Sequence, residues 1–212
     1  MLFIVKNTTF PNLFDLLFPH SCMGCECLGS VLCECCKKNI LQATKTKKEL
    51  SSIYAVGERS GLLGELIHDY KYHSIRALAK PLAELIDAAL PQKLPKNCAI
   101  VPLPTATHHV RARGLDHTYL IGKNLSKIRH MPLKRILIRN KNTVQVGSDR
   151  NTRLKQATSA YALNPKIKIN KNTTYVLLDD VYTTGASIEA AKEILKAAGA
   201  QKIIAALLAR SS

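Results

Sequence analysis

The chain has 212 residues, 46% of them hydrophobic and 5% aromatic, and 31 Lys and Arg against 15 Asp and Glu give it a formal net charge of +16. Its length and apolar content suit one core-bearing domain, with or without a small appendage, and exclude a disordered chain. Met1–Val5 is too short an apolar run for a secretory signal, and no stretch approaches the roughly 20 apolar residues of a membrane span. The expected location is therefore cytoplasmic, with any membrane contact peripheral at the inner membrane.

Taken in order, Phe10 to Pro19 carries an Asn12 cap and a bulky apolar face, which predicts a short helix ending at Pro19 and packed on its own domain. Six of the seven cysteines then fall between Cys22 and Cys36. Cys22-x2-Cys25 and Cys33-x2-Cys36 make two knuckles able to close a tetrahedral four-cysteine zinc site, leaving Cys27 and Cys35 as spare thiols or alternative ligands. A disulfide cluster competes, but a cytosolic chain keeps its thiols reduced; an iron–sulfur cluster uses the same four thiolates. The lysine-rich run from Leu32 to Leu50 has no strong period after Leu41 and suggests a solvated linker, placing a metal-binding module in 1–50 and the larger domain in 51–212.

Ser52–Gly57 is expected to open that larger domain as a strand. Gly61–Tyr70 and Ile75–Leu90 show helical spacing, interrupted at Lys71-Tyr72-His73 and stopped at Pro91. Lys71 is either a helix-end cation or a contact for a ligand's pyrophosphate. Cys98–Pro102 suggests a core strand running into Pro102 and Pro104, with Arg111 and Arg113 beyond it as bidentate donors to a diphosphate, and a helix from Leu115 to about Ile128. Leu133–Ile138 and Tyr161–Leu163 are strand candidates on either side of a long polar loop, Arg139 to Ala157, a length that marks a functional or disordered loop. Asn164–Thr174 reads as a basic turn or hairpin, and Ile203–Ala209 as the closing strand.

The most informative stretch is Tyr175 to Ser187. An apolar strand meets Asp179 and Asp180, then Thr183-Thr184-Gly185-Ala186-Ser187, and helical spacing begins at Ile188. In an open α/β sheet the carboxyl ends of strands face the ligand crevice. A glycine turn flanked by hydroxyls at a helix N-terminus gathers donors for an anion, and a phosphate monoester fits it. Two acids ahead of such a pocket would repel phosphate, so they accept hydrogen bonds from sugar hydroxyls or help hold hydrated Mg²⁺. A ribose 5-phosphate satisfies both halves, whereas no Walker A or Gly-x-Gly-x-x-Gly pattern is present.

This stretch resembles the phosphoribosyl pyrophosphate (PRPP) signature of type I phosphoribosyltransferases. Together with Val101-Pro-Leu-Pro104, Arg111-Ala-Arg-Gly114-Leu-Asp-His-Thr and the paired knuckles, nearly the whole chain is similar to the ComF (ComFC/GntX) competence-associated family. The resemblance implies an α/β type I phosphoribosyltransferase-like parallel sheet flanked by helices, behind a small four-cysteine zinc module. It also implies a lid over Arg139–Ala157, where the family's Gln…Arg…Arg…Asn pattern ends here in Gln145, Arg150, Arg153 and Gln156.

Between Tyr119 and Leu178 the only acid is Asp149, against about a dozen Lys and Arg. A small phosphorylated ligand does not require such a field; a phosphodiester backbone does. With no Trp and few aromatics, extended stacking platforms are not expected. Two functions follow. One, implied by the ComF resemblance, is a protein of natural transformation that binds PRPP and single-stranded DNA, with Arg135, Arg139, Lys141, Arg150 and Arg153 expected on the DNA and other components of the uptake machinery as partners. The other is an active Mg²⁺-dependent phosphoribosyltransferase whose acceptor, a nucleobase or nucleotide-related molecule, no residue pattern identifies.

Overall fold

The computed structural model describes residues 20–44, 52–106, 110–111, 114–140 and 160–211. The helix expected before Pro19, the lid over 141–157, and Arg113, Lys141, Arg150 and Arg153 lie outside the described residues.

Among the described residues the elements are, in order, α1 (Glu34–Thr44), β1 (Ile53–Glu58), α2 (Gly61–Tyr72), a 3₁₀ turn (Arg76–Leu78), α3 (Ala79–Ala89), β2 (Cys98–Pro102), α4 (His117–Arg129), β3 (Leu137–Arg139), β4 (Tyr161–Leu163), β5 (Thr174–Tyr182), α5 (Ala186–Ala197) and β6 (Lys202–Arg210). The main sheet has the order β1-β6-β5-β2 and is parallel throughout. Parallel strands need crossovers, and the crossovers cover both faces, so central strands are apolar on both sides. Thr174 to Leu178 of the central β5 are buried accordingly, and all five residues of the edge strand β2 are buried as well.

Alternation along the strands sorts the core into two clusters. Ile100, Val176, Leu178, Ala206 and Leu208 pack with α2, α3 and α4; Ala99, Val101, Tyr175, Leu177, Ala205 and Leu207 pack with α5 and the antiparallel β3–β4 pair. Crossovers that carry the chain from β1 towards β2 thus use one face, and the crossover from β5 to β6 uses the other. The loops after β2 and β5 part company between those two strands, which is where an open α/β sheet forms its crevice.

Several expected boundaries move. The supposed linker contains α1: Cys36 and Ile40, one turn apart, are buried, and Lys37 bridges Glu34 at 2.5 Å and Glu84 of α3. Cys22, Leu32, Cys36 and Ile40 share the hydrophobic cluster of α2 and α3, so the cysteine segment packs on the sheet domain's own core. Helix α2 runs through Lys71 and Tyr72, because Tyr70 continues the buried row Leu63, Leu66, Ile67. The strand expected over 133–138 is only Leu137–Arg139; Leu133 instead forms an isolated parallel bridge to Ile100 along the outer edge of β2, with Ile100 N–H donating to Pro132 O at 2.9 Å and Lys134 N–H to Ile100 O at 2.8 Å. Residues 164–173 form turns without a hairpin.

Helix α4 approaches that edge through Gly122, where an added Cβ would lie 2.9 Å from Leu133 Cδ1 and 3.2 Å from Leu178 Cδ2. Gly122→Ala should therefore cost about 1–3 kcal/mol through overpacking, although alanine favours helix. Urea unfolding would show a lower midpoint with unchanged slope.

Candidate functional site

The site begins with a stagger between strands. Pairing of β2 with β5 ends at Pro102↔Leu178, and Leu103 N–H adds one bond to Leu178 O at 2.9 Å; pairing of β5 with β6 continues to Tyr182↔Arg210. Asp179 and Asp180 therefore sit within β5 yet beyond the end of β2, facing a cleft of about 570 Å³. Lys71 and Tyr72 from α2, Leu103 to Ala106 after β2, Thr118 from α4, Arg139 from β3, Tyr161 from β4 and Ser187 from α5 complete its lining.

The walls are tied down. Asp116 caps α4 by accepting from Tyr119 N–H at 3.2 Å, and the same carboxylate oxygen lies 3.2 Å from the Thr105 hydroxyl, joining the loop after β2 to that helix. Tyr70 anchors α2 by donating its hydroxyl to His117 O at 2.9 Å. Arg139 Nη1 lies 3.5 Å from Pro104 O, with its guanidinium 5.5 Å from the Tyr161 ring centroid.

On the floor, Lys71 Nζ lies 2.7 Å from Asp180 Oδ2, and Asp179 Oδ1 accepts the Asp180 N–H at 2.9 Å. Desolvation, followed by the adjacent Asp180 charge, raises the Asp179 pKa from 3.8 to about 7, against the pull of the Asp180 N–H, Lys71 and Arg139. Past the strand, Gly185 adopts φ +77°, ψ −5° and opens α5; an added Cβ there would fall 2.2 Å from the Tyr182 hydroxyl. Only glycine fits this turn. Its neighbour Ala186 directs its N–H towards Thr184 Oγ1 at 3.4 Å.

Residues 121–212 match the phosphoribosyl transferase domain. The matched part of the chain, somewhat under half of it, includes β5, both acids, the Gly185 turn and α5. Solved structures that align with part of the chain include the allosteric regulatory enzyme of purine biosynthesis (14% identity, TM-score 0.43) and glutamine phosphoribosylpyrophosphate amidotransferase from B. subtilis complexed with ADP and GMP (14% identity, TM-score 0.46). Each alignment covers 66% of this chain and 30% of the other. No curated protein matches the chain.

In this α/β fold the structure brings Asp179, Asp180, Lys71 and Ser187 to one cleft. Lys71 is thus a cleft residue, paired with an acid, in addition to ending a helix. Thr183 lines a separate groove between α1, β1 and α2, and Thr184, Gly185 and Ala186 follow it in the turn, outside the cleft lining. Arg111 is exposed and also outside the lining. Of the residues expected on DNA, Arg139 faces the cleft, while Arg135 is exposed and stacks its guanidinium 3.8 Å from the Tyr119 ring centroid. Tyr161 and Thr105 were not singled out from the sequence: Tyr161 stood in a three-residue strand with no partner motif, and Thr105 among prolines read as stiffeners.

The cysteines form a second centre. The seven thiols are unbridged. Sulfur atoms of Cys22, Cys25, Cys27 and Cys33 lie within 4.8 Å of one another, with Cys25 Sγ 3.4 Å from Cys27 Sγ and 3.6 Å from Cys33 Sγ. Cys36 is buried beneath them against Gly24. The first sulfur of each knuckle accepts backbone N–H groups, Cys22 from Gly24 at 3.4 Å and Cys33 at 3.3 Å, and Cys33 from Cys36 at 3.4 Å. Burial opposes ionisation of Cys22, but N–H donors from Cys33, Gly24 and Cys25 outweigh it and bring the thiol to about 6; Cys33 is lowered chiefly by the Cys36 N–H. Cys27 is pushed up to about 12 by sharing hydrogen bonds with Cys25 and Cys33. Two of the gathered thiols, Cys22 and Cys33, favour the thiolate form, burial pushes the Cys36 thiol up, and four sulfurs this close are a donor set suited to zinc.

The Asp179 shift has a definite sign. A carboxyl raised above its unfolded value binds its proton more tightly when folded, so stability is lost as pH rises from about 4 to about 7. Asp179→Asn should leave melting unchanged below the carboxylate range and raise it by about 2–4 °C above neutrality. In wild type, carboxyl NMR should place the Asp179 midpoint near neutrality; Asp180→Asn should lower it and Lys71→Met raise it further. An Asp179 midpoint in the ordinary carboxylate range would contradict the geometry.

Proposed function

We propose that this protein binds PRPP with Mg²⁺ in the β2/β5 cleft and single-stranded DNA on its basic surface, as a ComF-type component of natural transformation. The observation that carries the PRPP reading is the succession of Asp179 and Asp180 at the open end of β5, the glycine-only turn at Gly185 and the N-terminus of α5. Backbone N–H groups at that terminus receive the 5-phosphate, and the acids receive ribose hydroxyls or hydrated Mg²⁺. Lys71, released from Asp180, supplies a cation to the pyrophosphate, with Arg111 and Arg113 as further donors.

Exposed basic residues support the DNA reading. Lys123, Lys127, Lys134, Arg135, Lys166, Lys168 and Lys171 are exposed, whereas Arg129 is committed to Asp87 and the Pro91 carbonyl. Phosphate-led binding needs such unpaired cations and little else. The location that fits this role is cytoplasmic, with membrane contact at most peripheral; among the described residues no helix is long and apolar enough to cross a membrane.

A second reading, an active transferase, is favoured by one feature. Burial, followed by the Asp180 charge, pushes the Asp179 carboxyl up to about 7, where a carboxylate serves acid–base chemistry as an acceptor displaces pyrophosphate from the ribose.

Calorimetry should detect PRPP binding that Asp179→Ala with Asp180→Ala removes while DNA binding persists. Labelled single-stranded DNA should bind less tightly as salt rises, with a slope of about −0.7 per phosphate neutralised. Reversing Lys127, Lys134 and Arg135 to Glu should flatten that slope by about 2 for all sequences alike, leaving PRPP affinity intact. Salt-independent DNA retention, or unaltered retention by the triple variant, would remove the DNA role and leave the transferase reading.

The zinc reading has its own test. Cys22, Cys25 and Cys33 are common to the knuckle pattern and the observed cluster, and we assign buried Cys36 as the fourth ligand with exposed Cys27 spare. Elemental analysis should give about one zinc per chain, kept by Cys27→Ser and lost by Cys36→Ser; the reverse result would assign the ion to the outer set, and iron would replace zinc altogether.

A further inference from the structure

Helix α2 ends in the sequence Ile67-His68-Asp69-Tyr70-Lys71-Tyr72-His73, and its buried row of Leu63, Leu66, Ile67 and Tyr70 leaves two histidines and an acid on the outer side. Asp69 and His73 are one helical turn apart and share a face. His73 is the C-cap, held by its own N–H to Asp69 O at 3.0 Å. The side chains converge on one point: Asp69 Oδ1 lies 2.9 Å from His73 Nδ1 and 3.3 Å from His68 Nδ1, and one ring nitrogen of each histidine and a carboxylate oxygen of Asp69 all lie within 4.8 Å of one another. The two imidazoles meet edge-on with centroids 5.4 Å apart.

We propose that His68, Asp69 and His73 form a second metal site, separate from the cysteine centre, which takes a late first-row divalent cation. Bonds of roughly 2.0–2.2 Å from nitrogen and carboxylate oxygen place ligands of a shared ion roughly 3.0–3.4 Å apart, so the two Asp69 distances already suit a common centre. Two imidazoles and one carboxylate select zinc, nickel, cobalt or copper over magnesium, which prefers oxygen ligands and water. The end of a helix favours positive charge, since its last carbonyls point outward. Lys71, the nearest cation in sequence, is turned towards Asp180 and does not compete for Asp69. Three protein ligands leave positions open for water.

This site stands independently of the PRPP reading, because none of its ligands lines the cleft. It is nonetheless continuous with the cleft along the chain: Lys71 and Tyr72, which do line it, lie between the ligands. An ion here would clamp the last turn of α2 by joining Asp69 to the cap residue.

The test uses the full-length, zinc-loaded protein titrated with Ni²⁺ by calorimetry. Wild type should take up about one Ni²⁺ per chain without losing zinc, and proton NMR should show shifted resonances from two imidazoles. His68→Ala with His73→Ala should abolish that uptake, and Asp69→Asn should weaken it by more than about tenfold. Both variants alter surface-facing groups, so unchanged melting temperatures and unchanged zinc content would show that the fold and the cysteine centre survive. The proposal fails if wild type binds no more Ni²⁺ than the double variant, whose other histidines are intact. It fails equally if Ni²⁺ uptake displaces zinc and brings thiolate-to-nickel absorption, since the metal would then reside on the cysteines.

Discussion

The structure depends on an unequal pair of hydrogen-bond ladders on the two sides of β5. On one side β2 stops at Leu178; on the other β6 continues to Tyr182. A strand held on both edges would bury its acids between neighbours, and one free on both edges would not be held straight. Held by β6 alone over its last residues, β5 keeps a fixed direction while presenting Asp179 and Asp180 to open space. The loop after β2, pinned through Thr105 and Asp116 to α4, keeps that space from closing.

The charges in the cleft are arranged for exchange rather than for stability. Lys71 and Asp180 are each mostly buried, so their pairing offsets a desolvation cost that neither could bear alone. Asp179, with no cation at bonding distance among the described residues, carries the remaining cost as a raised pKa. A ligand that brings both anionic groups for Lys71 and hydroxyls or a hydrated cation for the acids replaces one set of partners by another. Binding then costs little in lost pairing, which is a form of preorganisation.

Legibility in the sequence followed the strength of local chemistry. The β5–Gly185–α5 junction could be read because each part has one cause: β-favouring residues, a position only glycine fills, and a helical apolar period. Spacing showed that the cysteines cluster, but the structure gathers Cys27 with Cys22, Cys25 and Cys33 where the knuckle pattern has Cys36. Helix α1 was missed because only Cys36 and Ile40 mark its buried face and its lysines suggested solvent, whereas Lys37 is in fact drawn to Glu84, 47 residues away. The end of α2 was missed because Lys71-Tyr72-His73 looks polar, although Tyr70 had already placed the next turn on the core. Short β3 and the Leu133 bridge show the same limit, since three-residue pairings are chosen by tertiary neighbours and not by propensity. The cleft's Arg139 and Tyr161 come from strands too short to announce which way they face.

The two centres of the molecule meet on α2. Gly24, inside the first knuckle, lies against Cys36 and Leu62 at the start of that helix, while its last turn carries Lys71 into the cleft. Lys37 of α1 also joins Glu84 of α3, and Leu32, Cys36 and Ile40 fill the same apolar cluster as Leu66, Tyr70 and Leu82. A thiol-bound ion would therefore do more than close its own loop. It would fix the residues packed against one end of the helix whose other end holds Asp180, and loss of the ion would remove packing from α2 and α3 before it touched the sheet. Since the sheet's ladders do not pass through the cysteine segment, the acids of β5 would keep their place while the cation opposite them lost its support.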